Sequence, residues 1–118
     1  MVYKYLTALA ILSLALFFGF TLGKSSVAKV TVTNSSSQEI SMLKVSLKDK
    51  EFVKEKLGVD QVTQFQFKIK SDDHYNVKVY FKDGSEMDKQ LGYVTSGMDS
   101  DDKIAIFDSD IEISSVEN

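Results

Sequence analysis

After Lys24 the sequence alternates apolar and polar residues with a period of two, and this most restricts the possible fold. In AKVTVTN, Val30 and Val32 alternate with Lys29, Thr31 and Thr33. In SMLKVSLK, Leu43, Val45 and Leu47 alternate with Lys44, Ser46 and Lys48. TQFQFKIK sets Phe65, Phe67 and Ile69 against Gln64, Gln66, Lys68 and Lys70. HYNVKVYFK sets Tyr75, Val77, Val79 and Phe81 against Asn76, Lys78 and Tyr80. Successive side chains of a strand point to opposite faces, so strict alternation marks strands with one wet face. Turn formers separate them: Asn34-Ser-Ser-Ser37, Ser71-Asp-Asp-His74, Asp83-Gly84 and Thr95-Ser-Gly97. Asp-Gly supplies the positive φ that a tight hairpin needs. DKIAIFD and DIEIS add one strand, or two if a bend divides them. KDKEFVKEKLGVD fits a short helix or a strand plus loop, and its all-β surroundings favour the second.

Six or seven short strands with regular turns predict an all-β, antiparallel β-sandwich over 29–114, with a small open barrel as the alternative. Residues 24–28 read as a linker and 115–118 as a tail. The composition, 43 % hydrophobic with eight Phe and five Tyr along the chain, is that of a folded protein, and the residues after 23 suffice for one small domain with one small core.

The N-terminus is of another kind. From Tyr5 to Gly23 there is no charge, and the polar side chains after Leu6 are Thr7, Ser13 and Thr21. A helix apolar on all sides suits lipid. At about 1.5 Å per residue it spans about 28 Å, close to a bilayer core of about 30 Å. Residues 1–23 therefore read as one hydrophobic helix, either an uncleaved membrane anchor through residues 5–23 or a signal peptide. Thr21-Leu22-Gly23 and Ser26-Val27-Ala28 both offer the small residues a signal peptidase needs. Either reading exports the rest of the chain to an extracytoplasmic space, the bacterial periplasm or cell surface. An uncleaved anchor holds it at the inner membrane.

Composition removes several function classes. The chain has no Cys, so it forms no disulfide, thiolate metal site or Cys nucleophile. It has no Arg, and its net charge is −3, which speaks against nucleic acid as a partner. The charge is uneven. Residues 24–82 hold eleven Lys and seven acids, whereas residues 83–118 hold two Lys and ten acids. A Lys-rich side and an acidic side are expected, as solvated surface or as an electrostatic partner surface.

VTVTNSSSQEISMLKVSL, LGVDQVTQFQFKI and YNVKVYFKDGSEMDKQLGYVTSGM occur in an order that resembles small bacterial exported domains of immunoglobulin-like fold. The resemblance covers about residues 28–113 and rests on turn and strand patterns. It implies an immunoglobulin-like sandwich and no activity, and it carries no functional residue to this chain.

His74 is the only histidine, so no multi-histidine metal site can form. Ser71, Asp72 and Asp73 neighbour it in one turn and have no reason to converge as a triad. Paired-carboxylate glycosidase chemistry needs a cleft, and this small chain has no Trp. Asp99, Asp101, Asp102, Asp108 and Asp110 are hard oxygen ligands that a sandwich end could gather around calcium, although the EF-hand pattern is absent. Tyr93 fits a structural corner or an exposed contact, and Tyr80, out of phase with its strand, fits an exposed contact. Asn34-Ser35-Ser36 matches a glycosylation sequon.

No cofactor is implied. The expected function is a non-catalytic protein-binding or structural module of the bacterial envelope, with another envelope or secreted protein as partner. Two alternatives are a periplasmic inhibitor or immunity protein against a secreted toxin or hydrolase, and a calcium-dependent adhesion module.

Overall fold

The computed structural model describes residues 26–115. The hydrophobic segment 1–23 lies outside the described residues. The described chain is all-β. Its strands are β1 (Ser26–Asn34), β2 (Ile40–Leu47), β3 (Lys50–Leu57), β4 (Val62–Ile69), β5 (Asp73–Phe81), β6 (Glu86–Val94), β7 (Ser100–Ile106) and β8 (Ile111–Ser115). They form two four-stranded sheets, ordered β4-β1-β7-β8 and β3-β2-β5-β6. The hairpins β2-β3 and β5-β6 lie in the second sheet, whereas β1, the single crossing strand β4 and the hairpin β7-β8 make up the first.

The alternating residues pack between the sheets. Val30, Val32, Ile104 and Ile106 come from one sheet, and Leu43, Val45, Val77 and Val79 from the other; all are buried. At one side, Phe52 of β3 stacks on Phe65 of β4 with centroids 4.0 Å apart. At the opposite side, Lys89 of β6 donates to Asp110 Oδ1 at 2.8 Å and to the Ile111 carbonyl at 2.9 Å.

Three expectations change. The described residues form eight strands, not six or seven. Lys50–Leu57 pairs with β2 along its length, from Leu47↔Lys50 to Ile40↔Leu57. The turn between them uses Lys48 at φ 57°. Ile111–Ser115 is a separate strand, turned by Asp108-Ser109-Asp110, where Phe107 N–H donates to the Asp110 carbonyl at 2.8 Å. Second, the pairing is not wholly antiparallel: β1 runs parallel to β7, from Ala28↔Ser100 to Asn34↔Ile106. Alternation records which face a side chain takes, and says nothing of a neighbour's direction. The first strand thus neighbours the fourth and seventh, whereas in the immunoglobulin constant-type order it neighbours the second.

Third, β1 begins at Ser26, inside the expected linker. Ser26 pairs with Ile69, and Ala28, fully buried, pairs with Phe67 and Ser100. Val27 N–H donates to Asp99 Oδ1 at 2.8 Å. Cleavage after Ala28 would remove sheet residues, so the mature N-terminus is expected at or before Ser26. Mass spectrometry of the N-terminal peptide from the native source checks this, and a terminus at Lys29 would contradict it.

Candidate functional site

A surface acts on another molecule through groups not already spent on the fold. The Asn34 turn is wholly committed. Asn34 is fully buried; its Nδ2 donates to the carbonyls of Gln38 (3.0 Å) and Leu57 (2.9 Å). Its Oδ1 accepts from Ser36 N–H (3.1 Å) and Ser36 Oγ (2.6 Å). Both amide hydrogens of the sequon asparagine therefore serve the junction of β1, β2 and β3.

The five aspartates of the calcium expectation do not form one ligand set. Asp99 precedes β7 and caps Val27 N–H, while Asp108 and Asp110 follow the strand, about 20 Å away at the usual rise per residue. Asp108 accepts from Ser37 N–H and Ser37 Oγ, both at 2.7 Å, and these donors lower its pKa. Asp110 is held by Lys89, which lowers its pKa likewise. Asp102 is 2 % exposed and turned inward, accepting from Tyr75 Oη and Ser115 Oγ at 2.6 Å each. Asp101, its chain neighbour, takes the opposite face. No group of three His, Cys, Asp or Glu suited to a metal occurs among the described residues.

Tyr75 was the tyrosine that alternation placed inward, and it is fully buried. Burial, reinforced by the hydrogen bond to Asp102, raises its pKa far above the ordinary phenol value. Alternation could place this tyrosine in the core but could not supply its partner, which lies on the other sheet.

Tyr93 is 56 % exposed and stands edge-on to His74, with ring centroids 5.1 Å apart. Its hydroxyl donates to Asp72 Oδ2 at 3.1 Å, and that bond raises its pKa. Asp72 also accepts from Ser96 N–H at 2.7 Å. His74 Nδ1 lies 2.7 Å from the Gly92 carbonyl, which can only accept, so Nδ1 carries the hydrogen. Asp73 accepts from Lys48 N–H. His74 is therefore tied to backbone, and Asp72 and Asp73 serve other donors.

Gly92 makes this bend possible. Its φ is 73°, and a Cβ there would fall 2.7 Å from Ile113 Cδ1 and 2.9 Å from Tyr75 Cδ2.

Tyr80 is half-buried on the outer face of the β3-β2-β5-β6 sheet. Lys44 and Lys78 sit directly opposite each other on β2 and β5. Like charges in that arrangement repel. The Tyr80 ring lies 5.9 Å from Lys44 Nζ and 5.3 Å from Lys78 Nζ, close enough to attract both cations. Chiefly through hydrogen bonding, Tyr80 raises the Lys78 pKa. Asp88, opposite Lys78 on β6, adds to this. Tyr80 thus offsets a local repulsion.

The backbone donors and acceptors of the four sheet edges are also unspent. Natural sheets blunt edges with charge or short length. The β3 edge carries Lys50, Glu51, Lys54, Glu55 and Lys56. The β6 edge carries Glu86, Asp88 and Lys89. The β8 edge is five residues long and carries Glu112. The β4 edge differs: Val62, Thr63, Gln64, Phe65, Gln66 and Phe67 are consecutive and uncharged. On its solvent side Val62 is 56 % exposed, and Gln64 and Gln66 are exposed. On its core side Phe65, Phe67 and Ile69 are buried. One edge of β4 pairs with β1 throughout, from Ser26↔Ile69 to Thr33↔Val62, and the other is the sheet boundary. Toward its C-terminal end β4 carries one charge, Lys68, which lines a hollow together with Leu47, Lys48, Asp49, Lys50 and Lys70.

The lack of charge in VTQFQF was visible in the sequence. Its significance was not, because the same composition suits a central strand.

No protein-family model and no curated protein matches the chain. A solved structure does resemble it: the NMR structure of a protein from Eubacterium rectale, with TM-score 0.55 and 13 % identity, covering 80 % of this chain and 91 % of the other. At that identity the likeness concerns the fold.

Proposed function

We propose that this protein is a non-catalytic, protein-binding or structural module of the bacterial envelope. The apolar segment 5–23 directs or anchors it there, and the two-sheet β domain faces the extracytoplasmic space. The observation that carries this reading is the free edge of β4. An edge uncharged from Val62 to Phe67, with unpaired backbone groups, is suited to strand addition, in which main-chain hydrogen bonds give affinity and alternate side chains give specificity. The commitment of Asp72, Asp73, Asp99, Asp102, Asp108 and Asp110 to donors within the chain also supports it.

The inhibitor or immunity reading also has an observation in its favour. Glu86, Asp88, Asp110 and Glu112 lie along the β6/β8 side, against Lys89 alone among the cations of those two strands. An acidic side of this kind suits a basic enzyme surface.

Cross-linking in the native cell followed by mass spectrometry tests the main reading. Gln64→Lys with Gln66→Lys is expected to abolish capture of a partner held by the unsubstituted chain. Both positions are exposed and the substitution removes one exposed hydrogen bond, Gln64 Nε2 to Thr31 Oγ1, so stability should fall by no more than about 1 kcal/mol. Capture that survives this double substitution, or is lost only on neutralising Glu86 and Asp88, moves the function from β4 to the acidic side.

A further inference from the structure

We propose that the β4 edge binds a second copy of this chain, the two β4 strands pairing antiparallel about a two-fold axis at Phe65. This rests on the reading of β4 as a docking edge and names its occupant. A two-fold axis normal to the sheet keeps outward-facing residues on one side, so facing positions must share parity.

Self-complementarity then selects the register. Centred on Phe65, Gln64 faces Gln66 of the second copy twice over. Val62 faces Lys68, and Phe65 faces its own counterpart. Lys70 meets the turn at Asp60, where both side chains are exposed. Gln64 Nε2 already donates to Thr31 Oγ1 at 3.1 Å, which leaves its Oε1 to accept from Gln66 Nε2 of the second copy; aromatic pairs are favourable across strands, and opposite charges attract. Each Lys68 lies about 20 Å from its symmetry mate at about 3.3 Å per residue, so the lysines do not repel across the axis. Neighbouring registers fit less well. A centre at Gln66 sets Asp60 against Asp72, two acids. A centre at Gln64 keeps an opposite-charge match, Asp60 against Lys68, but leaves only Val62–Gln66 of strand Val62–Ile69 paired. Chosen in this way, the pairing continues the β4-β1-β7-β8 sheet from one copy into the next.

The full chain is prepared as two tagged variants, Gln64→Cys and Gln66→Cys, which are mixed and mildly oxidised. The natural chain has no cysteine, so every disulfide reports the introduced pair. Opposed Cβ atoms of about 4.5–5.5 Å lie close to the reach of a disulfide. Heterodimer disulfide is expected at about tenfold or more over either variant alone. Adding Lys70→Asp to both should lower the yield severalfold, since symmetry removes the pair twice, and Asp60→Lys in the same chains should restore it. Lysine is acceptable at the Asp60 backbone, φ 64°, because Lys48 and Lys56 already adopt φ of 57° and 56°.

The proposal is overturned if the mixture yields no more disulfide than the single variants while both thiols react with a maleimide. Cross-linking of Gln64→Cys or Gln66→Cys alone at the higher yield also overturns it, by setting another register. If self-cross-linking fails but Gln64→Lys with Gln66→Lys still abolishes capture of a different envelope protein, self-pairing falls and the binding-module reading stands.

Discussion

Replacing Asn34 by Asp is expected to destabilise the domain by about 3–5 kcal/mol, a large share of the roughly 5–15 kcal/mol that holds a domain folded. The two side chains are nearly the same size, so the effect isolates hydrogen-bond polarity. Asn34 Nδ2 now gives both hydrogens to the carbonyls of Gln38 and Leu57. A carboxylate gives none, and it sets negative charge against two carbonyl acceptors, that of Leu57 buried and that of Gln38 partly so. The damage spreads because the same residue joins three strands: its carbonyl accepts Asp60 N–H at 2.8 Å, and its N–H donates to the Gln61 carbonyl at 3.0 Å. Ser36→Ala, which removes one hydroxyl from the same network, should cost only about 1 kcal/mol. Urea unfolding of the full chain checks the pair. A loss below about 1 kcal/mol for Asn34→Asp would show that this junction tolerates charge.

Tyr75→Phe should cost about 2–3 kcal/mol, because it withdraws a hydrogen bond from a buried carboxylate and leaves Asp102 with Ser115 as its remaining donor. The ring stays, so core packing is little changed. The same hydroxyl gives a pH dependence whose sign follows from the raised Tyr75 pKa. In the unfolded chain the phenol ionises near pH 10, whereas in the folded chain it remains protonated well above that. Stability from this group is therefore complete below about pH 10 and is lost as the pH rises further. In alkaline titration followed at 295 nm, the last tyrosine to ionise should be missing from Tyr75→Phe. The variant should also lose less stability than the natural chain between about pH 10 and 12. Equal alkaline losses would separate Tyr75 from this dependence.

The contrast between Tyr75 and Tyr93 shows how far local pattern reaches. Tyr75 sits in phase with Val77 and Val79, so its burial was legible from spacing alone. Tyr93 follows a glycine at a bend where the register of β5 and β6 shifts, and spacing could not choose between its two readings. The structure places it outside, bonded to Asp72. The acidic run 99–110 misled for a related reason. Consecutive acids suggest a shared site, but the strand between Asp99 and Asp108 carries them to opposite ends, and alternation turns Asp102 inward while Asp101 stays out.

Short-range physics thus determined much of this protein from its sequence. Period-two patterning, Asp-Gly and Asn-Ser turns, and the apolar faces made the described region all-β. The lack of Cys and Arg removed whole classes of chemistry. Long-range pairing decided the rest. The parallel β1–β7 contact, the inward Asp102 that meets Tyr75, and the edge position of β4 each depend on residues brought together from distant parts of the chain. A strand's own residues say which face is wet, but its neighbours decide whether its backbone is already paired. The uncharged stretch VTQFQF becomes a candidate binding edge only because β1 occupies one side of it and no strand of this chain's described residues occupies the other.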